Sequence, residues 1–560
     1  MNLIKKIILS FVLFSITNIL NAQHMEQPNI LWLTTEDISP TFSFYGDSTA
    51  KTPNLDKLAK ESLVFARSFA VVGVCAPSRS AIITGMYPAS IGTQNMRTGR
   101  DTKGWGKRRY GTLDGVYKAK GHDVNGKSVP FYSAVIPAEV KCFTEYMRAA
   151  GYYCTNNYKT DYQFAAPVTA WDENSETATW ENCPKGRPFF SVFNDMITHE
   201  SKMWINKKLP QTVSPESVPL PPYYPEDSIV RQDVARNYSN IEILDKHIGE
   251  KIDALKKAGL YDKTIIFFFS DHGGPLPRGK REVYDTGLRT PLLVHFPGGT
   301  NAGKVKELFS FVDLAPTVLS LAGIKPPEYI QGQAFLGKYK SPERKYIFGS
   351  GDRFDEYSDR IRIVRDKRYL FVKNFYPNLP AYKDVTFRKS MDMMNELLFL
   401  RDAGNLSGPT AYWFRLTKTP EEFYDCDKDP FNLTNLINNP NYTGKIAELR
   451  KVLDQHIKDI NDRGEVSETE MLEQMWPEGI QPRTEQPVIS IKGGNISISC
   501  STKGSSIGYI LSDKKVTPDL DSVWQLYHKT INAGGAKYLY VLATRIGFAD
   551  SEMLVKKIKK

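Results

Sequence analysis

At 560 residues, 41% hydrophobic and 12% aromatic, the chain can bury large cores in more than one domain. Its formal charge of +10, or +8 without Lys5 and Lys6, favours polyanionic partners, but no basic-aromatic repeat or recognition-helix pattern points to nucleic acid. Six cysteines in so long a chain exclude a disulfide framework.

Residues 1–22 pair Lys5 and Lys6 with a short apolar run and a small residue before Gln23, the pattern of a cleaved secretory signal peptide. No other long apolar segment follows, so a soluble, exported mature protein without a stable membrane span is expected. The run 29–35 (NILWLTT) reads as a buried parallel strand, and Glu36 and Asp37 fall at its C-terminal end, where open α/β sheets hold their ligands. Adjacent carboxylates there suit a hard cation, although strand-end carboxylates also serve as helix caps. Residues 53–62 read as a helix and 63–69 as a strand leading to Cys75-Ala76-Pro77-Ser78-Arg79. Pro77 suits a first helical turn, so Cys75 falls at a helix N-terminus, with Arg79 one turn on: a place for an oxyanion with a reactive group at its floor. A cysteine before proline is otherwise an ordinary buried residue.

Residues 98–133 form a long loop rich in Gly, Lys, Arg and Tyr, and Arg97 beside it is a candidate contact for an anionic sugar or simple surface charge. A helix at 143–151 and a strand at 152–155 precede Lys159 and Asp161. A second buried strand, 188–194, leads to His199, and residues 231–258 carry a helical stripe of Tyr238, Ile241, Leu244, Ile248, Ile252 and Leu255. The most apolar strand, 264–270, ends in Asp271-His272-Gly273-Gly274, followed by Gly279-Lys280.

These motifs together resemble the formylglycine-dependent sulfatases, within the alkaline-phosphatase-like superfamily. The resemblance rests on C-A-P-S-R with its downstream T-G, the S-D-H-G and G-K pairs, Tyr284-x-x-Gly287-x-Arg289-x-Pro291, and the run 310–323. It implies an α/β fold with a large mixed sheet flanked by helices and a smaller C-terminal α+β subdomain. It implies a formylglycine (3-oxoalanine) made from Cys75 by a formylglycine-generating enzyme, whose aldehyde hydrate attacks sulfur. Arg79, Lys159 and Lys280 would bind sulfate, with His199 or Lys280 protonating the leaving oxygen. Glu36, Asp37, Cys75, Asp271 and His272 would surround one divalent metal. Calcium is expected by resemblance, although His272 leaves manganese or zinc open. Two positions depart from the pattern: Glu36 stands where Asp is usual, and Asp161 replaces a histidine, leaving it a candidate base or sugar ligand.

Beyond Gly323 short antiparallel strands follow, with Arg353 and Asp355 in a loop that is a candidate for touching substrate. Residues 423–436 resemble the family's closing element, and 446–460 read as an amphipathic helix. Residues 477–486 form a Pro- and Gly-bearing linker to a β-rich piece, 487–560, similar to the small β-sandwich appended to chitobiases. The expected division is catalytic domain 23–345, subdomain 346–476 and sandwich 487–560. Export, basic charge and the sandwich fit a secreted or periplasmic sulfatase acting on ulvan, carrageenan or glycosaminoglycan. The alternatives are an N-sulfoglucosamine sulfohydrolase, a phosphate or phosphonate monoester hydrolase of the same superfamily, and a binding protein with a decayed site.

Overall fold

The computed structural model describes residues 27–96 and 121–558, so the leader and Arg97 lie outside the described residues. A nine-stranded mixed sheet organises the chain. Its strands are β1 (Asn29–Thr35), β2 (Ser62–Phe69), β3 (Tyr153–Asn157), β4 (Glu173–Asn174), β5 (Phe189–Asp195), β6 (Thr264–Ser270), β7 (Arg289–Thr290), β8 (Leu292–His295) and β9 (Gly303–Ser310). The order is β9-β2-β8-β6-β1-β5-β3-β4, with β7 against β2. β1 runs parallel to both β5 and β6, and its last residue, Thr35, is level with Asp195 on one side and Ser270 on the other. That register brings three chain segments out of the sheet at one height, which is what builds the site.

Alternation along β1 explains the two layers. Ile30 and Trp32 face one side, where Trp32 meets the rings of Phe143, Phe190, Phe267 and Phe269. Leu31 and Leu33 face the other, against Ile266, Phe268 and the apolar stripe of a long helix, α3. Helix α1 (Pro53–Lys60) precedes β2, helix α2 (Cys75–Thr84) follows it, and α3 spans Ser228–Lys257. α3 starts three residues before the sequence suggests because the Asp227 carboxylate accepts from the backbone N–H groups of Ile229 and Val230. Gly85 ends α2 with φ +68, a conformation that costs a residue with a Cβ.

Strands β10 (Ile347–Gly351), β11 (Ile361–Arg365), β12 (Tyr369–Asn374) and β13 (Glu421–Asp425) form an antiparallel sheet in sequential order. It packs on Phe69, Val283, Tyr284 and Leu288 of the main domain, and its other face is covered by helix α4 (Thr443–Asp459). Residues 488–557 fold as two small antiparallel sheets whose inner faces share Ile496, Ile498, Tyr509, Leu539 and Val541. They are seated on the first domain: Lys141 Nζ donates to the Gly504 and Ser505 carbonyls, and Arg148 to the Trp524 carbonyl. Trp524 is buried there, so it offers no open aromatic face. All six cysteines are free thiols.

On α4, His456 stacks on Phe348 at 3.6 Å with Tyr87 edge-on, and burial pushes its pKa down to about 3. An unfolded chain binds this proton below about pH 6.5, whereas the folded protein refuses it until about 3. Stability from this residue therefore falls as pH drops through that window, by about 2 kcal/mol at pH 5. His456→Phe is expected to flatten the pH dependence of urea unfolding between pH 7 and 5 by that amount; an unchanged slope refutes it.

Candidate active site

Four of the main strands deliver the site from their C-terminal ends. Glu36 and Asp37 follow β1, Lys159 follows β3, His199 follows β5, and Asp271 and His272 follow β6. Cys75 opens α2 behind an extended Val74 and is completely buried. Its Sγ lies 3.3 Å from His272 Nε2, 3.4 Å from Lys280 Nζ, 3.5 Å from Glu36 Oε2 and 3.9 Å from Asp37 Oδ1. Arg79, one turn on, pairs with Glu36 and reaches Asp271 Oδ2 at 3.2 Å and Asn194 Oδ1 at 2.8 Å. Lys159 Nζ donates to Glu36 Oε2 at 2.6 Å, and Lys280 Nζ to Asp37 Oδ2 at 2.7 Å. The residues singled out as sulfate-binding and metal-binding are thus brought to one point.

The electrostatics follow from burial. Desolvation alone would raise all three carboxylates. Against it, Arg79 and Lys159 hold Glu36 well below the usual carboxylate range, and Lys280 with His272 does the same for Asp37. Asp271 goes the other way: burial and the neighbouring Glu36 push it up. Burial also pushes the Cys75 thiol up, partly offset by Lys159 and Lys280, so as a cysteine it is a neutral, poor nucleophile.

The two histidines carry opposite hydrogen-bond patterns. His272 Nδ1 donates to the Gly273 carbonyl at 2.9 Å, and its Nε2 lies 3.1 Å from Asp37 Oδ1 and 3.3 Å from Cys75 Sγ. Against burial, Asp271 and Asp37 push its pKa well above the ordinary histidine range, so Nε2 keeps a proton that a bound metal would displace. His199 Nδ1 accepts from the Ser201 backbone N–H at 3.2 Å, so in the neutral ring Nε2 carries the proton. That Nε2 is buried and has no hydrogen-bond partner. Burial and Lys280 hold His199 well below the ordinary histidine range, so it is neutral.

The donor set fits a divalent metal. Ligand atoms of Asp37, Cys75, Asp271 and His272 lie within 4.8 Å of one another, as do those of Glu36, Asp37, Cys75 and His199. Of the three fully buried carboxylates, Asp271 is pushed toward its protonated form, and a hard cation in the cluster would favour its charged form instead.

Three candidates are placed differently. Arg353, expected to face substrate, is buried with its guanidinium engaged by Glu468 and by the carbonyls of Met96 and Asp355. It is a structural clamp. Asp355 accepts from Arg281 Nε at 2.8 Å, and so supports the site from behind. Asp161 is beside the site, its Oδ2 paired with Lys159 Nζ at 3.5 Å. Its φ of +55 aims a residue with a Cβ from an uncommon backbone conformation.

The residues not foreseen lie next to those that were. Glu200 follows His199; its backbone N–H donates to Asp37 Oδ2 at 2.7 Å, and its carboxylate accepts Arg281 Nη1 at 2.9 and 3.0 Å. Arg281 follows Lys280, and its own N–H bonds the Gly73 carbonyl at 2.6 Å, tying the lysine loop to the Cys75 loop. A Cβ at Gly73 would lie 2.4 Å from the Glu282 carbonyl, so this approach requires glycine. Adjacency to His199 and Lys280 was the only sequence signal for either residue.

Residues 28–324 match the sulfatase family model, and residues 278–397 match the model of the N-sulphoglucosamine sulphohydrolase C-terminal region. The chain is 42% identical over 568 residues to an ulvan-active sulfatase of Formosa agariphila, covering 94% of this chain and 91% of that one. It is 26% identical to the N-sulphoglucosamine sulphohydrolase of Homo sapiens, over 76% and 89% of the two chains. Among solved structures, a 2-O GAG sulfatase superposes with a TM-score of 0.55 at 18% identity, covering 78% of this chain and 93% of that one. The phosphonate monoester hydrolase of Agrobacterium radiobacter does so with 0.52 at 15%, covering 79% and 97%, a likeness of fold.

Removing a divalent ion from this cluster with a chelator is expected to lower the Tm, and calcium to restore it. At one hundred times its Kd the ion contributes about 2.7 kcal/mol. Asp271→Asn should abolish the restoration. A protein whose Tm ignores the chelator, with no divalent metal by elemental analysis, refutes the site.

Proposed function

Because the chain belongs to the sulfatase family and is a sulfuric ester hydrolase, we propose that it is an exported enzyme removing sulfate from a sulfated polysaccharide or its oligosaccharides, with ulvan first among the candidates. The observation that carries this reading is the convergence of Cys75, three carboxylates and three cations on one buried point, in a chain 42% identical to an ulvan-active sulfatase. We assign residues 1–22 as the cleaved leader, 23–345 as the catalytic domain, 346–476 as its subdomain, 477–486 as the linker and 487–560 as the appended sandwich. Maturation would require a formylglycine-generating enzyme.

Glu36, Asp37, Asp271 and His272 would hold the divalent ion, taken as calcium. When present, that ion draws charge from the sulfate oxygens, and the formylglycine made from Cys75 supplies a hydrated aldehyde as nucleophile. The remaining work falls to the chain's own side chains. A sulfate monoester repels nucleophiles with its own negative charge, and Arg79, Lys159 and Lys280, all buried, supply the compensating charge. Lys159 and Lys280 are both kept protonated by carboxylates, despite burial that would lower them. His199 Nε2–H is a donor with nothing to bond, which suits the oxygen that departs with the saccharide. Lys280 holds the proton for that oxygen, since His199 is neutral. Asp161, beside Lys159, is assigned to orient the lysine or to accept from a sugar hydroxyl.

The match of residues 278–397 to the N-sulphoglucosamine sulphohydrolase C-terminal model favours one second reading, cleavage of an N-sulfate. Parallel assays on ulvan oligosaccharides and N-sulfated glucosamine separate the two.

Cys75→Ala should abolish turnover while leaving folding and metal binding intact. The peptide containing Cys75 should be lighter than its thiol form by mass spectrometry in active protein; full activity with an unmodified thiol refutes the assignment. His199→Ala, which removes one hydrogen-bond donor to the departing oxygen, should lower kcat by about 10²–10³ while substrate binding changes little; a rise in KM alone would place His199 in binding instead.

A further inference from the structure

Two aromatic side chains, Trp204 and Phe387, meet beside His199, with Trp204 also packed in part against the core. Trp204 lies on the short helix Lys202–Ile205, whose first N–H bonds the His199 carbonyl at 2.7 Å. Phe387 lies on the 3-10 turn Thr386–Ser390, distant in sequence. Their rings meet edge-on, with centroids 5.0 Å apart and planes at 75°, and the Phe387 centroid is 6.4 Å from that of His199. Phe387 is 38% exposed and Trp204 half-buried, whereas Phe267 and Phe268 in the main sheet are sealed. The exposure of Phe387, in contact with a second ring and beside His199, suits a ligand surface.

Both rings are held rigidly. The residue after Phe387, Arg388, is almost fully buried, donates to the Lys280 carbonyl at 2.5 Å and lies over the Trp413 ring at 5.2 Å. Phe387 is thereby tied to the lysine loop and Trp204 to the histidine loop, so the corner between them keeps its position relative to the reacting atoms. Aromatic side chains supply large, rigid contact area at low entropic cost, and a pyranose ring presents an apolar C–H face to such a surface. Lys202, on the same helix as Trp204, has no carboxylate partner among the described residues and adds a positive charge suited to a polyanion.

We propose that Trp204 and Phe387 form the aromatic corner against which a pyranose ring of the sulfated saccharide packs, beside His199 and its leaving-group oxygen. This rests on the polysaccharide reading above and names the residues through which the enzyme recognises sugar rather than sulfate alone.

The test compares sulfated oligosaccharides from ulvan with a small alkyl sulfate that has no ring. Phe387→Ala and Trp204→Ala should each raise KM for the oligosaccharide at least tenfold, and the loss in kcat/KM should be at least tenfold larger than on the alkyl sulfate. Phe387→Tyr should restore the oligosaccharide KM and Phe387→Leu should not, which separates ring stacking from apolar area. Equal losses on both substrates, unchanged KM, or rescue by leucine overturns the corner while leaving the polysaccharide reading standing. A wild-type enzyme that cleaves the alkyl sulfate but neither binds nor desulfates ulvan, carrageenan or glycosaminoglycan oligosaccharides overturns the polysaccharide reading, and the corner with it.

Discussion

Three carboxylates and a thiol cannot be buried at one point unless charge is brought in with them, and this constraint shapes the whole catalytic domain. Asp37 shows it best. Its carboxylate accepts from Lys280 Nζ and from the Glu200 backbone, and lies 3.1 Å from His272 Nε2. It thereby joins the loops after β1, β5 and β6. Each cation in turn needs its own support: Lys280 sits beside Arg281, which Glu200 and Asp355 neutralise, so the charge alternates outward in shells. The alternation accounts for why so many arginines here are fully enclosed.

Chemistry follows from how the backbone treats two imidazoles. A carbonyl beside His272 Nδ1 accepts that ring N–H and leaves Nε2 turned toward Asp37 and Cys75, while an N–H beside His199 Nδ1 forces the proton of the neutral ring onto Nε2. Side chains of one type are thus assigned opposite work by the peptide groups within two residues of each. Side chains share in both: Ser201 Oγ lies 2.9 Å from His199 Nδ1, and Asp37 Oδ1 lies 3.1 Å from His272 Nε2.

The antiparallel sheet after the catalytic domain also serves the site. Residues 352–388 contribute Asp355 to Arg281, Arg388 to the Lys280 carbonyl and Phe387 to the surface beside His199. Arg353 contributes by holding Glu468 and the Met96 carbonyl. Its burial explains why a charged loop beside a predicted pocket turned out to be scaffold: a guanidinium with five donors saturates locally unless something keeps it exposed.

The sequence by itself determined the sheet's central strands, the helix carrying Cys75 and the strand-end carboxylates, because each is a local pattern, whereas Lys159, His199 and Lys280 entered through the resemblance to the sulfatases. Apolar runs of five to seven residues read as buried strands, and a charged pair at the end of such a run is legible wherever it occurs. Tertiary structure alone decided which of those pairs meet. Thr35 had to be level with Asp195 and Ser270 before Asp37, His199 and Asp271 could converge, and a sheet register is a relation between segments that no single segment encodes. It also decided which charges face inward, as with Arg353 and Asp355, and it placed Phe387 beside His199. Those outcomes depend on packing across long stretches of chain, where burial of one surface settles the exposure of another.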